Sequence, residues 1–448
     1  MDALFLSRVQ FAFTSGFHYI YPPLSIGLGL ILVIIEGLYL KSQNPLYKQM
    51  AQFWTKIFAL TFALGVATGL VQLFGFGTNW ASYSRFTGDV FGSALAGEGV
   101  FAFFLEAGFL GIMLFGWERV RPWIHYLSTI LVALGAHFSA IWIVIANSWM
   151  QTPAGFTIVG EGEAARAVVT DFWQMIFNPS AMDRLFHVIL GCWLAGIFLF
   201  LSVSAFYVLR KKFVKFGEAG LRLGLILSAI VLVLQLISAD RSANIVAKYQ
   251  PAKLAAMEGV FTTQEATPMG LIGWVDAKNE RVKGLQIPSL LSFLVHRDFE
   301  TPVVGLDQIP RDEWPPLNIV FQTYHLMIYM WFVMALVTTV GLILLWKKKI
   351  LHAKWTLRAL VWLVLSPQIA NQVGWMTAEI GRQPWVVWGA LKTMHGVSKH
   401  VDAHQVLGSL IMFFVIYTLM FLLFLFLLDR KIKHGPEAPE GMESEYSL

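Results

Sequence analysis

A single cysteine, Cys192, stands in the 448 residues, inside an apolar run. That scarcity excludes a disulfide framework, a four-cysteine iron–sulfur site and a CxxCH attachment for a c-type haem. Charge is also thin: Asp, Glu, Lys and Arg make up 14% of the chain against 56% hydrophobic residues. With a mean hydropathy of +0.62, this composition excludes a soluble multidomain protein and points to lipid as the solvent. The net charge of +5 does not indicate nucleic acid, because Lys and Arg lie in short runs between apolar stretches, which is a topology signal. The sequence shows neither an internal repeat nor a low-complexity tract. Its first apolar segment, from about Gln10 to Leu40, is too long for a signal peptide and lacks a small-residue cleavage site, so it reads as a retained span.

What is present is a series of apolar stretches. A bilayer core of ~30 Å takes about 20 apolar residues as helix, because backbone in lipid must satisfy its own hydrogen bonds. Nine stretches reach that length, near residues 12–40, 55–77, 94–116, 125–149, 187–209, 221–239, 319–346, 355–376 and 404–428. The fold class is therefore an all-α polytopic membrane bundle. Pro22 and Pro23 predict a kink near the start of the first span. Gly65 and Gly69 read as helix-packing positions without a functional role. Basic residues cluster in alternate connections: Lys41, Lys48 and Lys56; Arg119 and Arg121; Arg210, Lys211, Lys212, Lys215 and Arg222; Lys347, Lys348, Lys349, Lys354 and Arg358. Arg430, Lys431 and Lys433 follow the last span. These face the cytoplasm by the positive-inside rule, which places the N-terminus outside and the C-terminus inside. The segments are then helices one to six over 1–239, an outward loop over 240–318, helices seven to nine over 319–428, and a cytoplasmic tail over 429–448. The loop is too polar to span and too long for a tether, which suits a substrate lobe; a partly mobile loop is the alternative. Residues from Pro436 onward read as disordered.

An ionisable side chain in a span costs at least ~2.5 kcal/mol when charged, so each needs a partner, a proton or a metal. On this topology His18, His187, Met327 and Glu379 lie toward the outer face. His and Met are the axial pair of many low-spin haems, and an iron with one protein ligand keeps a position for oxygen. A lone His or Met in a span is more often a packing residue, so it is the shared depth that suggests metal. Glu98 and Glu106 would lie ~80° apart around one helix and ~12 Å along it. Two carboxylates at two depths suit a proton relay, and Ser139 is a softer candidate; pairing with a hydroxyl or backbone group is the bland alternative. His395, His400 and His404 read mainly as solvated loop residues.

The stretches SRVQFAFTSGFHYIYPPL, GEGVFAFFLE, ANSWMQTP, AKLAAMEG and GWMTAEIGRQPW resemble the large subunit of cytochrome bd quinol oxidases across nearly the whole chain. The resemblance implies that His187 and Met327 ligate a low-spin haem b, and that His18 and Glu379 ligate two high-spin haems, b and d, in an order left open. It also implies Trp375 between haems, Arg8 and Arg382 on haem propionates, and Glu98 and Glu106 on the proton route. Lys253 and Glu258 match the family's quinol-linked pair, although five residues apart on a helix they point in different directions. The loop lacks the extension of the family's long-loop members, so this resembles a short-loop member and the quinol preference stays open. His325 stands where those members carry Arg, two residues before Met327. At ~200° apart on a helix only one of the two can face a haem, which makes His325 a rival ligand.

These readings together imply a quinol:oxygen oxidoreductase of the bacterial cytoplasmic membrane. It would release quinol protons outside, take protons for water from inside, and so build membrane potential without a pump. The family implies a second membrane subunit, with a small single-span subunit as an open addition. A haem b electron-transfer anchor is one rival, though it usually needs paired histidines on facing spans. A haem-free proton-coupled transporter using Glu98, Glu106 and Glu379 is another, and it would often show an inverted repeat. A haem–copper oxidase is disfavoured, because the spans lack a histidine cluster for copper.

Overall fold

The proline pair after His18 splits the first apolar stretch into two helices, α1 (Ala3–His18) and α2 (Tyr21–Ser42), with Pro22 in the first turn of α2. Proline has no N–H to donate and fits the first turn of a helix, so the break falls just before the pair. The computed structural model describes residues 2–99 and 104–437. The bundle continues with α3 (Pro45–Thr78), α4 (Ala81–Gly97), α5 (Phe104–Phe115) and α6 (Pro122–Gln151). A short hairpin, β1 (Phe156–Val159) with β2 (Arg166–Val169), and a single turn α7 (Phe172–Ile176) precede α8 (Ala181–Arg210) and α9 (Val214–Tyr249). The long connection after α9 holds α10 (Pro251–Glu258), the hairpin of β3 (Met269–Asp276) with β4 (Arg281–Ile287), and α11 (Leu290–His296). Then come α12 (Leu317–Trp346), α13 (Lys354–Trp362), α14 (Leu365–Ile380), the hairpin of β5 (Trp385–Val387) with β6 (Leu391–Lys392), α15 (Thr393–Gly396) and α16 (Ala403–His434).

Among the described residues, seven helical segments are long and apolar enough to cross a membrane, α1 and α2 counting as one. The other two of the nine stretches are not single long helices among the described residues. The stretch 94–116 is shared between the end of α4 and the short α5, and residues 100–103 lie outside the described part. The stretch 355–376 is divided between α13 and α14 at Leu363 and Val364, neither half being a full span. The second span starts ten residues earlier than read, at Pro45, where Asn44 caps α3 by accepting from the Leu46 N–H at 3.0 Å. The sixth runs on to Tyr249, so the membrane-to-lobe boundary set at 239 falls inside α9. The segment read as a disordered tail lies mostly outside the described residues.

Helix α2 is the buried centre of the bundle, and most of its side chains are hidden. It crosses α8 at Gly27 and Gly196, where a Cβ on either would stand 2.4 to 2.7 Å from the other's backbone. Only glycine permits that approach, and close backbone packing is how helices associate where lipid is as apolar as their own side chains. By contrast α16 turns Leu419, Leu422, Phe426 and many other apolar residues outward, a surface suited to lipid.

The basic connections gather at one end. Lys48 lies 3.2 Å from Glu118, and Lys56 and Lys431 both engage Glu437. The β3–β4 hairpin and the segment around Lys253 occupy their own packed core, with Leu254, Phe261, Val275, Leu291, Leu306 and Phe321 buried together. Residues 240–318 thus form a packed lobe on the C-terminal end of α9 and the N-terminal end of α12.

Candidate functional site

Helix α14 organises the site. Its polar residues Gln368, Gln372, Trp375 and Glu379 recur at steps of four, three and four, which places them on one helix face. Gln372 donates to Gly16 O at 2.7 Å and Gln368 to Ile20 O at 3.4 Å, so α14 grips α1 and α2 on either side of His18. On the His18 ring, Nδ1 lies 2.9 Å from the Thr68 hydroxyl, whose own hydrogen goes to Leu64 O at 2.8 Å. The hydroxyl therefore accepts from Nδ1–H, which leaves the lone pair on Nε2, as an iron ligand requires. Gly69, read from sequence as packing only, lies beneath this ring: a Cβ there would meet His18 Cε1 at 3.2 Å.

On another side Asn371 donates to Gly191 O at 3.3 Å, one turn beyond His187 on α8. The Gln235 amide from α9 stands 3.2 Å from each nitrogen of His187. On the third side α14 meets α12, where the hydroxyls of Thr377 and Thr323 are 2.9 Å apart. Here Gly374 faces Met327, with a Cβ position 3.0 Å from Sδ. His325 does not share that direction. Its Nδ1 engages Phe321 O at 2.8 Å and its Nε2 engages Gly270 O at 2.9 Å in the lobe. Each nitrogen faces a carbonyl oxygen, to one of which a neutral ring donates its single N–H, and Met327 is the one of the two that faces α14.

At its C-terminal end α14 presents Glu379, which accepts from Asn147 at 3.0 Å, from Gln151 at 3.1 Å and from Arg382. Arg184 donates to the same Asn147 and lies 5.8 Å over the Trp375 ring, which in turn meets Tyr19 edge-on at 5.4 Å. Lys253 donates to Gln151 and, at 2.6 Å, to Gln250. Two guanidinium groups and the Lys253 amine thus surround one carboxylate. Arg382 Nε and Nη1 and Arg184 Nε are buried without an acceptor. Such orphaned charged donors are costly unless an anion meets them. Together with the imidazole, thioether and carboxylate donors nearby, they fit a group that carries a metal and carboxylates. Arg184 was not foreseen in the sequence, since it sits at a helix start where basic residues are cheap. Arg8, which was foreseen, is exposed on α1 at a cleft lined by Leu4, Trp314, Gln383, Lys392 and Met394.

Lys253 and Glu258 diverge, as their spacing predicts. Lys253 points to the Glu379 cluster, while Glu258 points to α12, where Tyr324 hydrogen-bonds its carboxyl. Both are 2% exposed. Burial, with Arg184 nearby, holds the Lys253 amine well below the usual lysine range, and burial pushes the Glu258 carboxyl up to about 7. Glu258 Oε2 has no partner.

Glu98 caps the end of α4 and takes a hydrogen bond of 2.7 Å from Ser139, while Glu106 is buried in the first turn of α5. Residues 100–103, which separate the two on the stretch read as one span, lie outside the described part. Sequence reasoning also missed a buried cluster nearer the basic end: His125 Nδ1 is 2.6 Å from Glu36, Thr129 donates to the other Glu36 oxygen at 2.6 Å, and His125 Nε2 meets Met113 O at 3.1 Å. The available signal was Glu36 itself, a carboxylate within a long apolar run. The segment around His395, His400 and His404 forms no metal cluster among the described residues.

The chain is matched elsewhere along nearly its whole length. Residues 6–436 match the family model for cytochrome bd terminal oxidase subunit I. The chain belongs to that family. It is 39% identical to cytochrome bd ubiquinol oxidase subunit 1 of Bacillus subtilis over 98% of this chain and 95% of that one. It is 32% identical to cytochrome bd-II ubiquinol oxidase subunit 1 of Escherichia coli, covering 99% of this chain and 98% of the other. The bd oxidase structure from Geobacillus thermodenitrificans superimposes with a TM-score of 0.90 at 32% identity, covering 97% of this chain and 99% of that chain. Cytochrome bd membership accounts for the polytopic helical bundle.

Proposed function

We propose that this chain is the haem-bearing subunit of a respiratory terminal oxidase in the bacterial cytoplasmic membrane, oxidising membrane quinol and reducing oxygen to water. The observation that carries the reading is the convergence on α14: His18, Met327 and Glu379 on its sides, His187 one turn from its Asn371 contact, and a buried excess of positive charge at its outer end. Family membership, and two relatives named as ubiquinol oxidase subunits, support the same reading.

In this proposal His187 and Met327 would hold a low-spin haem b, while His18 and Glu379 would hold a high-spin haem b and haem d. When bound, the haems supply one-electron transfer and an iron that takes oxygen. Arg382, with Arg184 beside it, would neutralise propionates, and Trp375 would fill the space between the groups. Lys253 would polarise one quinol hydroxyl and Glu258 Oε2 would accept the proton of the other, releasing it to the outer side. Glu106, Glu98 and Ser139 would pass protons inward from the cytoplasm. With the N-terminus outside and the C-terminus inside over nine spans, that separation charges the membrane without pumping. A second membrane subunit would complete the channel.

The test is quinol-dependent oxygen uptake by membranes that contain the overproduced chain and its partner, with ubiquinol and menaquinol analogues compared. Uptake above that of membranes without it is the expected result, and none with either quinol would contradict the reading.

A further inference from the structure

Three side chains of α12, Gln322, His325 and Tyr329, follow one another at steps of three and four and so share one helix face. All three reach the same lobe strand, β3. Gln322 Nε2 donates to Gly273 O at 2.7 Å, His325 Nε2 engages Gly270 O at 2.9 Å, and the Tyr329 hydroxyl donates to Leu271 O. The strand is shaped for this. Its register with β4 slips between Gly270 and Ile272, and Leu271 is left without a cross-strand partner. Such a bulge turns backbone groups out of the ladder, here toward the helix. The Phe321 ring, buried in the lobe core, stacks on His325 at 4.0 Å.

Beneath the strand lies the end of α10. A Cβ on Gly270 would stand 3.6 Å from Glu258 O. Gly259, the next residue, turns with φ +70°, and a Cβ there would meet Val282 of β4 at 2.3 Å. The hairpin therefore roofs the turn that carries Glu258. Tyr324, which hydrogen-bonds Glu258, is adjacent to His325 on α12. One stretch of α12 thus holds both the carboxyl and the roof over it.

We infer that Gln322, His325 and Tyr329 form a latch that keeps the β3–β4 hairpin closed over Glu258 and so sets how readily a quinol head group reaches that carboxyl. This rests on the reading of Glu258 as the quinol-linked base. Glu258 is buried under the closed roof, so the head group binds only to the fraction of molecules whose hairpin has lifted. The apparent affinity is reduced by that fraction. The three residues are positioning residues: their contacts are with the lobe backbone, and they act through access to Glu258.

The test uses the full oxidase with Gln322→Leu, Tyr329→Phe, their double variant and His325→Ala. The first two remove single donors from an intact helix; His325→Ala carries the greater risk to folding. A reduced-minus-oxidised spectrum equal to that of the parent certifies each variant, and deuterium exchange at the β3 amides reads the roof without requiring turnover. The expected result is exchange faster by about tenfold in the double variant, with KM for a short-tailed quinol lowered about threefold and kcat kept. Unchanged exchange in the double variant would overturn the latch. Faster exchange with KM unchanged would overturn its role in access. A parent enzyme that consumes no oxygen with any quinol, while its spectrum and exchange are normal, would overturn the oxidase reading and the access role with it.

Discussion

Gly374 of α14 lies directly against the Met327 thioether of α12, so that a Cβ at 374 would stand 3.0 Å from Sδ. The sulfur is near the end of a flexible chain, and a methyl group asks it to move only a few tenths of an ångström. Gly374→Ala should therefore keep a low-spin haem signal. Gly374→Leu brings overpacking of ~1–3 kcal/mol and drives the thioether from its place, so the low-spin signal should be lost. Reduced-minus-oxidised spectra of the two variants read this directly.

Glu258 supplies a pH dependence. Its carboxyl is pushed up to about 7 by burial, so it is protonated and unable to accept a proton well below that value. Quinol oxidation at limiting quinol should rise with pH through about 7. Glu258→Gln should flatten the rise and slow turnover by ~10²–10⁴, with the haem spectrum intact. The stability sign is the reverse. A carboxyl whose folded pKa is raised from 4.5 to about 7 favours folding at low pH, and that contribution is lost as pH rises between those values.

The Glu36–His125 pair predicts a stability effect. The two side chains are 3% and 2% exposed and 2.6 Å apart. Removing one partner of a buried pair leaves the other uncompensated, at a cost of ~3–5 kcal/mol. His125→Ala should lower the thermal midpoint in detergent by several degrees. The double variant with Glu36→Leu should cost less than the sum of the single changes.

The residues of the proton route predict a split between electron input and oxygen chemistry. Glu106→Gln removes a buried titratable group, and oxygen uptake should fall ~10²-fold or more while quinol still reduces the haems. Ser139→Ala deletes only the 2.7 Å hydrogen bond to Glu98 and should be milder. Stopped-flow reduction beside steady-state oxygen uptake separates the two steps.

Hydropathy made most of the bundle legible, because lipid forces each backbone group to pair within its own helix. It failed where the chain breaks inside the membrane. At α13 and α14 both halves are apolar, and the one signal at the break is Pro367 in the first turn of α14, which has no N–H for Leu363 O and went unread among the apolar residues. His18, Met327 and Glu379 were legible as intramembrane polar or sulfur-bearing groups. Arg184 was not, because a cation at a helix end near the surface is ordinary until the fold buries its Nε against Asn147 and Trp375. His325 was read as a rival of Met327, and only the lobe's packing shows where its second nitrogen goes, to Gly270, 55 positions earlier. Long-range contacts of this kind leave no periodic trace in sequence.

The most direct test of a haem-bearing oxidase subunit is the reduced-minus-oxidised absorption spectrum of the purified protein, with and without carbon monoxide, combined with haem extraction. The account predicts low-spin b, high-spin b and d signals, a carbon monoxide response from the high-spin groups, and loss of the low-spin signal in both His187→Ala and Met327→Leu. A colourless protein would contradict it, and b haem alone without a carbon monoxide response would point to an electron-transfer anchor instead.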